Sequence, residues 1–456
     1  MYTLIAIAVL GVLCLLAEIF NVRKAIVPVT IIGLLAILGL TATGLNDSAD
    51  SYNNMIVSDN FSTPFSCLFI LLTVFLIALT PSFHQKEVHK ISDFVSIKLF
   101  LLTGAVAMVA FGNLAMFFLG IEILSISLYV LAASNRLSLK SNEAGMKYFL
   151  MGAFASGFIL FGIALIYGAI GSFDMAVIQE AGTSADVEDW FYIGAILLSI
   201  GMLFKIAAAP FHFWAPDVYE GSPALTTALM STLAKVVAMA AFFKLVSAMN
   251  VNLPDSSQTA LMVISILSMT IGNIMALKQN NVKRMLAFSG ISHAGFMLMT
   301  LLAVSTSAGI LLYYASAYAL AGIAAFSVLL YVTKDKDNED IFNFNGLGKT
   351  NPLLAAILTG ALLSMAGIPI FSGFFAKVFL FGQMLNAGHI ILVIVAVVNS
   401  IISVGYYFKL ILAMYTKEAT EAAKPVPFVY TAVATVAIVL NIAIGLYPSF
   451  LLDLLV

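Results

Sequence analysis

The chain has 456 residues, of which 62% are hydrophobic and only 10% charged, with a net charge of −2. A soluble domain carries about 25% charged residues, so lipid must solvate most of this chain, and a length-based count of soluble domains gives way to a count of apolar spans. The cysteines, Cys14 and Cys67, lie in or beside apolar runs without paired spacing, so neither a disulfide framework nor a metal site is indicated.

A helix needs about 20 mostly apolar residues to cross the hydrocarbon layer. Met1 to Phe20 is too long and too weakly flanked for a cleavable signal and reads as the first such run. In chain order the runs lie near 2–20, 25–44, 64–82, 94–112, 114–133, 147–170 and 190–211, then 224–248, 258–277, 284–304, 307–332, 352–385, 389–415 and 428–452. The run at 352–385 is long enough to contain a break. Uninterrupted apolar runs of this length satisfy their backbone hydrogen bonds in lipid only as helices. The prediction is an all-α integral membrane protein, a single membrane domain of about fourteen transmembrane helices.

Alternating these spans sorts the loops into two sets. One holds Arg23, Lys24, Lys86, Lys90, Arg136, Lys140, Lys147, Lys278, Lys283, Arg284, Lys334, Lys336, Lys349, Lys417 and Lys424. The other holds no basic residue but carries Asp47, Asp50, Asp59, Asp174, Glu180, Asp186, Glu188, Asp189 and Asp255. The positive-inside rule then puts both termini outside the cytoplasm. Losing or adding one helix would scramble every later loop, so the asymmetry supports the span count independently.

Six basic residues remain within the spans: Lys98, Lys205, Lys235, Lys244, Lys377 and Lys409. A charge at the bilayer centre costs roughly 2.5–3.5 kcal/mol on insertion scales, so each is a functional hypothesis by default. Lys98 and Lys244 lie close enough to span ends to snorkel and read as interfacial anchors. Glu18, beside Arg23 and Lys24, reads as a boundary residue, and Lys409 is ambiguous. Lys205, Lys235, Lys377 and Glu122 sit deep. Pro210 follows Lys205, and Gly367, Pro369 and Gly373 precede Lys377, so both lysines lie where a helix ladder opens and can line a wet cavity. Lysine suits proton transfer because its proton affinity falls on desolvation and rises as a carboxylate approaches, whereas arginine stays charged. A static ion pair between Glu122 and a lysine is the competing structural reading.

Lys205 and Lys377 are 172 residues apart, and Glu122 and His293 are 171 apart. The spacing predicts two similar halves, each with a titratable residue two helices before a broken helix bearing a lysine. Halves of five helices run in opposite senses across a membrane, the inverted-repeat design of ion-translocating proteins. The expected layout is three N-terminal helices in 1–90, repeats in 91–250 and 256–416, and a last helix in 428–456. His293 lies in an apolar span with Ser289 one turn before it and Ser292 beside it, and is read as part of the relay. His212, beside Pro210 and Trp214, reads as structural.

The stretch Lys205-Ile-Ala-Ala-Ala-Pro210-Phe-His212-Phe-Trp214-Ala-Pro216-Asp217-Val-Tyr219-Glu220-Gly221-Ser-Pro223 resembles the signature of the antiporter-like subunits of respiratory complex I. Leu119-Gly-Ile-Glu122, Leu233-Ala-Lys235, the segment from Lys283 to His293, and Gly367-Ile-Pro369-Ile-Phe-Ser-Gly373-Phe-Phe-Ala-Lys377 extend the resemblance along the whole chain. The resemblance implies Glu122 paired with Lys205, Lys235 as central relay, and Lys377 as the second-half lysine; His212, Lys283, Lys409, Ser289 and Ser292 are secondary candidates. Lys377 stands where the related subunit M typically has glutamate, and the chain ends at Val456 without the lateral helix typical of subunit L. Gly290 departs from the family pattern, which commonly has serine there, and Lys98 is unusual for its helix.

The resemblance further implies a bacterial inner-membrane protein with both termini periplasmic, neighbours that include antiporter-like subunit M and small subunit K, and contact with lipids. NADH, FMN, iron–sulfur clusters and quinone are handled elsewhere in such a complex. The absence of a cysteine cluster or glycine-rich nucleotide loop agrees, so no cofactor is expected in this subunit, and no nucleic-acid partner. Two other readings stay open: a subunit of a multisubunit sodium/proton antiporter, which shares these motifs, and a non-pumping scaffold whose buried charges only lock helices together.

Overall fold

The computed structural model describes residues 2–20, 23–45, 50–85, 90–182, 189–249, 255–419 and 425–455. Lys86, Lys424, Asp47, Asp186 and Glu188 of the loop-charge pattern lie outside these described residues. The first helices are α1 (Tyr2–Ile19), α2 (Arg23–Thr43), α3 (Ser62–Ala78) and the short α4 (Thr80–Phe83). Next come α5 (Ile91–Val109), α6 (Leu114–Ala132), α7 (Leu139–Ile170) and α8 (Met175–Gly182). The chain continues through α9 (Asp189–Lys205), α10 (Trp214–Gly221), α11 (Ala224–Leu229), a π-helical turn (Met230–Ala234) and α12 (Lys235–Met249). The second half holds α13 (Asp255–Leu277), α14 (Val282–Leu298), a 3-10 turn (Met299–Ala303) and α15 (Val304–Val332). It ends with α16 (Leu347–Thr350), α17 (Pro352–Ala366), α18 (Ser372–Asn386), α19 (Ile390–Thr416), α20 (Phe428–Leu446) and α21 (Ser449–Leu452).

Every apolar run read from the sequence falls on helix. Among the described residues, 11 helical stretches are long and apolar enough to cross a membrane. Residues 282–332 form one such stretch because only the 3-10 turn separates α14 from α15, where the sequence suggests two spans. Among the described residues the fold is all-α apart from one hairpin that the sequence did not predict, β1 (Asp50–Tyr52) antiparallel to β2 (Ile56–Ser58). Asn53 and Asn54 turn it at φ of 48° and 54°, a conformation asparagine tolerates.

Helix α15 is the central post. Its residues from Leu311 to Leu330 are buried all round, and α3, α12, α17, α18 and α20 pack against it. Helices α7 and α19 instead turn Phe154, Phe161, Ile394 and Ile401 outward, the lipid-facing side expected of a helix at the rim. Without a hydrophobic drive between helices in lipid, close packing relies on small residues. α7 crosses α9 at Gly162 and Gly194, where an added Cβ on Gly162 would come 2.6 Å from the Gly194 carbonyl.

Both breaks exist, but they are not equivalent. Lys205 is the last residue of α9, before its break, whereas Lys377 lies one turn inside α18, after its break. The two lysines keep the repeat spacing; the breaks do not, because Pro210 opens the first and Gly367 with Pro369 the second. At the first, the backbone groups freed by Pro210 find partners elsewhere. Trp214 Nε1 donates to the Phe204 carbonyl at 3.0 Å, and the Ala209 amide donates to Ser268 Oγ at 2.9 Å. Such satisfaction is what lets irregular backbone persist inside a bundle.

Candidate functional site

The site begins at Glu122, midway along α6. Ser156 of α7 donates to Glu122 Oε1 at 2.5 Å, and Lys205 Nζ reaches Ser156 Oγ at 3.4 Å and Ser125 Oγ at 2.8 Å. The expected direct ion pair between Glu122 and Lys205 is therefore not formed: a serine hydroxyl stands between carboxylate and amine. Helix geometry explains Ser125, which lies three residues after Glu122 on the same face of α6. Ser156 comes from a different helix and could not be read from spacing.

Lys235 opens α12 directly after the π-helical turn Met230–Ala234. It is 2% exposed, and its amine has no side-chain or backbone hydrogen-bond partner among the described residues. A π turn rotates the following residues relative to an α-helical register and is frequent at functional positions; nothing in the sequence announced it. Ser231, within that turn, lies 3.3 Å from the Tyr318 hydroxyl of α15.

His293 of α14 is held from both sides by phenols. Its Nδ1 is 2.9 Å from Tyr314 OH, and its Nε2 is 3.3 Å from Tyr407 OH, while Tyr407 OH is also 2.5 Å from Ser289 Oγ. Ser289 is thus brought into this hydrogen-bonded cluster through Tyr407. Ser292 is buried where α14 crosses α13, at Gly272, whose added Cβ would come 2.6 Å from the Ser292 amide. Tyr314 and Tyr318 stand four apart on one face of α15, a pairing visible in the sequence but overlooked because tyrosine in an apolar run reads as packing. A cavity of about 10 Å³, close to the size of a single water, is lined by His293, Tyr314, Tyr318, Ser364, Gly373 and Ala376.

Lys377 completes the series at the second break. Its amine donates to the Ala366 carbonyl at 2.8 Å, the Met365 carbonyl at 3.2 Å and Ser400 Oγ at 2.8 Å, and it lies 5.2 Å from the Phe296 ring centroid. The last carbonyls of a helix have no intrahelical donor and carry the negative end of its dipole, so a cation there is doubly satisfied. Gly367, at φ of 86°, both ends α17 and leaves room for the lysine: an added Cβ would come 3.0 Å from Lys377 Cδ.

The remaining sequence candidates fall elsewhere. Lys409 donates to the Gln279 carbonyl and Asn280 Oδ1, both at 2.9 Å, so it caps the loop after α13 and is not brought to the buried chain. Lys283, 3% exposed, pairs with Glu339 at 2.8 Å and donates to the Ser222 carbonyl at 2.9 Å, tying α14 to the loop before α11. His212 is buried and stacks on Phe213, and its Nδ1 has no hydrogen-bond partner among the described residues. Pro369 marks the second break, as expected.

Lys98 and Lys244 do not snorkel as the sequence suggested. Lys98 is 2% exposed, its amine 2.6 Å from Thr80 Oγ1. Lys244 pairs with Asp59 at 2.9 Å and donates to the Val109 carbonyl at 2.7 Å. The folded loop before α3 reaches over the end of α5, so an interfacial amine becomes an internal one.

On the side carrying the basic loops, Lys140, Glu143, Lys147, Asp217, Glu220 and Arg284 line a cleft of about 200 Å³. Arg284 bridges Asp217 at 2.7 Å and Glu220 at 3.0 Å, and Lys147 joins Asp217 at 3.3 Å. Partial burial pushes the Asp217 carboxyl up, but the bonds from Arg284 and Lys147 outweigh it and hold its pKa below the usual value.

Residues 112–403, which run from just before α6 to just past Ser400, the serine bonded to Lys377, match the NADH:quinone oxidoreductase/Mrp antiporter, TM family. The NADH-quinone oxidoreductase subunit N of Flavobacterium johnsoniae is 69% identical over 462 residues, covering 100% of both chains. The chain belongs to the NADH-quinone oxidoreductase subunit N family. A chain of respiratory complex I from Thermus thermophilus, solved with bound aureothin, has the same architecture, with a TM-score of 0.86 at 31% identity over 99% of this chain and 98% of its own. A chain of the Mrp complex from Dietzia has a TM-score of 0.85 at 22% identity, covering 99% of this chain and 94% of its own; that likeness shows the fold alone. Membership of the subunit N family therefore rests on sequence along the full length.

Proposed function

We propose that the chain moves protons within the membrane arm of an NADH-quinone oxidoreductase, along a relay of Glu122, Lys205, Lys235, His293 and Lys377, and performs no redox step itself. The observation that carries this reading is the Lys235 amine, buried without a side-chain or backbone hydrogen-bond partner among the described residues and flanked on either side by titratable groups already linked through hydroxyls. A static packing role would favour saturating such an amine, because an unpaired buried polar group is costly. A group that must load and release a proton benefits from being left unsaturated in one state.

In this reading a proton moves between Glu122 and Lys205 by way of the Ser156 hydroxyl, which accepts from one and donates to the other. Charging Lys205 raises the tendency of Lys235 to discharge, since like charges in a low-dielectric interior repel strongly. Lys377, seated on open carbonyls, forms the far end of the relay. NADH, FMN, iron–sulfur clusters and quinone belong to partner subunits, and their redox energy reaches this chain by shifting the charge balance of the relay. The partners include the antiporter-like subunit M and small subunit K, and lipid surrounds the rest. The loop-charge asymmetry supports about fourteen crossings of the inner membrane, two inverted repeats and both termini on the periplasmic side.

The test is Lys235→Ala in the assembled complex. Proton pumping and coupled quinone reduction should both fall severely with subunit content unchanged. Parental pumping in a correctly assembled complex would remove the relay and leave a scaffold.

A further inference from the structure

Between Lys235 and His293 the relay crosses from α12 to α14, and the side chain at that crossing comes from neither helix. Position 290, facing the gap, is glycine. A Cβ added there would lie 2.9 Å from Lys235 Nζ and 3.0 Å from Tyr318 OH, so amine and phenol converge on the same point of space. The Lys235 amine has no side-chain or backbone hydrogen-bond partner among the described residues, and a small rotation of its four-carbon stem into the space above Gly290 carries it to the phenol. On its other side the Tyr318 ring packs against the His293 ring, with centroids 4.7 Å apart. Both side chains line the same water-sized cavity, and Ser231 Oγ holds the hydroxyl at 3.3 Å.

We propose that Tyr318 is the hydroxyl through which Lys235 and His293 exchange a proton, in a space that exists because residue 290 has no side chain. This rests on the relay reading above and adds a residue to it. In the transfer an N–H bond of the Lys235 ammonium breaks as an O–H bond forms on Tyr318, the proton Tyr318 already carried passes across the small cavity to Tyr314, which lines it too, and Tyr314 hands its own proton to His293 Nδ1, 2.9 Å away. Lysine ends neutral, imidazole ends charged, and both phenols are neutral before and after. A phenylalanine has the same ring but no lone pair to accept on and no proton to pass.

The experiment uses the assembled complex in membrane vesicles, measuring proton translocation and its pH profile for Tyr318→Phe, Gly290→Ala, the double variant Tyr318→Phe/Gly290→Ser, and Lys235→Ala as reference. Tyr318→Phe should slow translocation by about tenfold, the effect of losing one hydrogen bond to a charged group, and displace the pH profile. The double variant should recover most of the rate, because a serine at 290 returns a hydroxyl to the point both groups face. Gly290→Ala, which fills the space without a hydroxyl, should be slow like Tyr318→Phe, and it decides the matter if Tyr318→Phe fails to assemble. Parental rate and pH profile in Tyr318→Phe, or in an assembled Gly290→Ala, overturn the proposal while a Lys235→Ala defect leaves the relay standing. Equal slowing of the single and double variants with an unmoved pH profile overturns it too, by making Tyr318 a packing residue. An intact Lys235→Ala would instead remove the relay itself.

Discussion

Glu122 and Lys205 meet through Ser156, which donates to the carboxylate at 2.5 Å and accepts from the amine at 3.4 Å. The separation keeps two opposite charges close enough to sense each other yet leaves each free to change protonation without breaking a saturated ion pair.

Removing that hydroxyl should uncouple them. Ser156→Ala is expected to slow proton translocation by roughly tenfold, the effect of losing one hydrogen bond to a charged group, with the complex assembled normally. Ser156→Thr, which keeps the hydroxyl, should stay near the parental rate. Translocation measured in membrane vesicles checks both, and equal rates in the alanine and threonine variants would reduce Ser156 to packing.

Lys377 both titrates in the proposed relay and closes the end of α17. Lys377→Met should therefore lower stability by about 1–3 kcal/mol, because the Ala366 and Met365 carbonyls lose a charged donor inside the bundle. Gly367→Ala should cost about 1–2 kcal/mol as well, since it forces a side chain into a left-handed backbone position against the lysine stem. Thermal unfolding of the purified membrane arm reads both losses; unchanged melting of Lys377→Met would separate the amine from the helix end.

Lys244→Ala should not be silent, although the sequence placed it at an interface where truncation is harmless. It leaves Asp59 charged, mostly enclosed and unpaired, and a loss of about 3 kcal/mol is expected, as when one partner of a buried pair is removed. Burial pushes the Asp59 carboxyl up, but the Lys244 charge and the Ser62 hydrogen bonds prevail and hold its pKa below the usual value. A depressed carboxylate stabilises the fold above its unfolded pKa, near 3.9, and that contribution fades as pH falls through the lower folded value. The melting temperature of the parent should thus drop below about pH 4 more steeply than that of Asp59→Asn, and parallel curves would deny the pair a role.

Lys98 has one hydrogen bond, to Thr80, among the described residues. Replacing a buried charge by an apolar side chain of similar volume is often neutral or stabilising by about 1–4 kcal/mol. Lys98→Met should leave translocation at the parental rate and hold or raise the melting temperature. A pumping defect in that variant would bring Lys98 into the relay.

Much of the fold was legible in the chain because lipid leaves few options. Apolar runs of about 20 residues have only the helix available, so the spans from Tyr2 to Leu446 and both helix breaks could be read directly. The five residues of the proposed relay stood out for the same reason, since ionisable groups are expensive in such runs. What joins them was not legible. Ser125, Ser156, Ser400, Tyr314, Tyr318 and Tyr407 are uncharged, common in apolar helices, and carry no signature of their own.

The sequence by itself determined that this protein lives in lipid, which segments cross as helices, where two of them open, and which amines and acids lie deep, because each follows from the cost of polar groups in hydrocarbon. Only the tertiary structure decided that Ser156 parts Glu122 from Lys205, that Lys98 and Lys244 are enclosed, and that Tyr318 and Lys235 converge above Gly290. Those are relations between side chains on different helices, set by how closely the helices cross and how each is rotated about its own axis, and neither quantity is written in the periodicity of a single span.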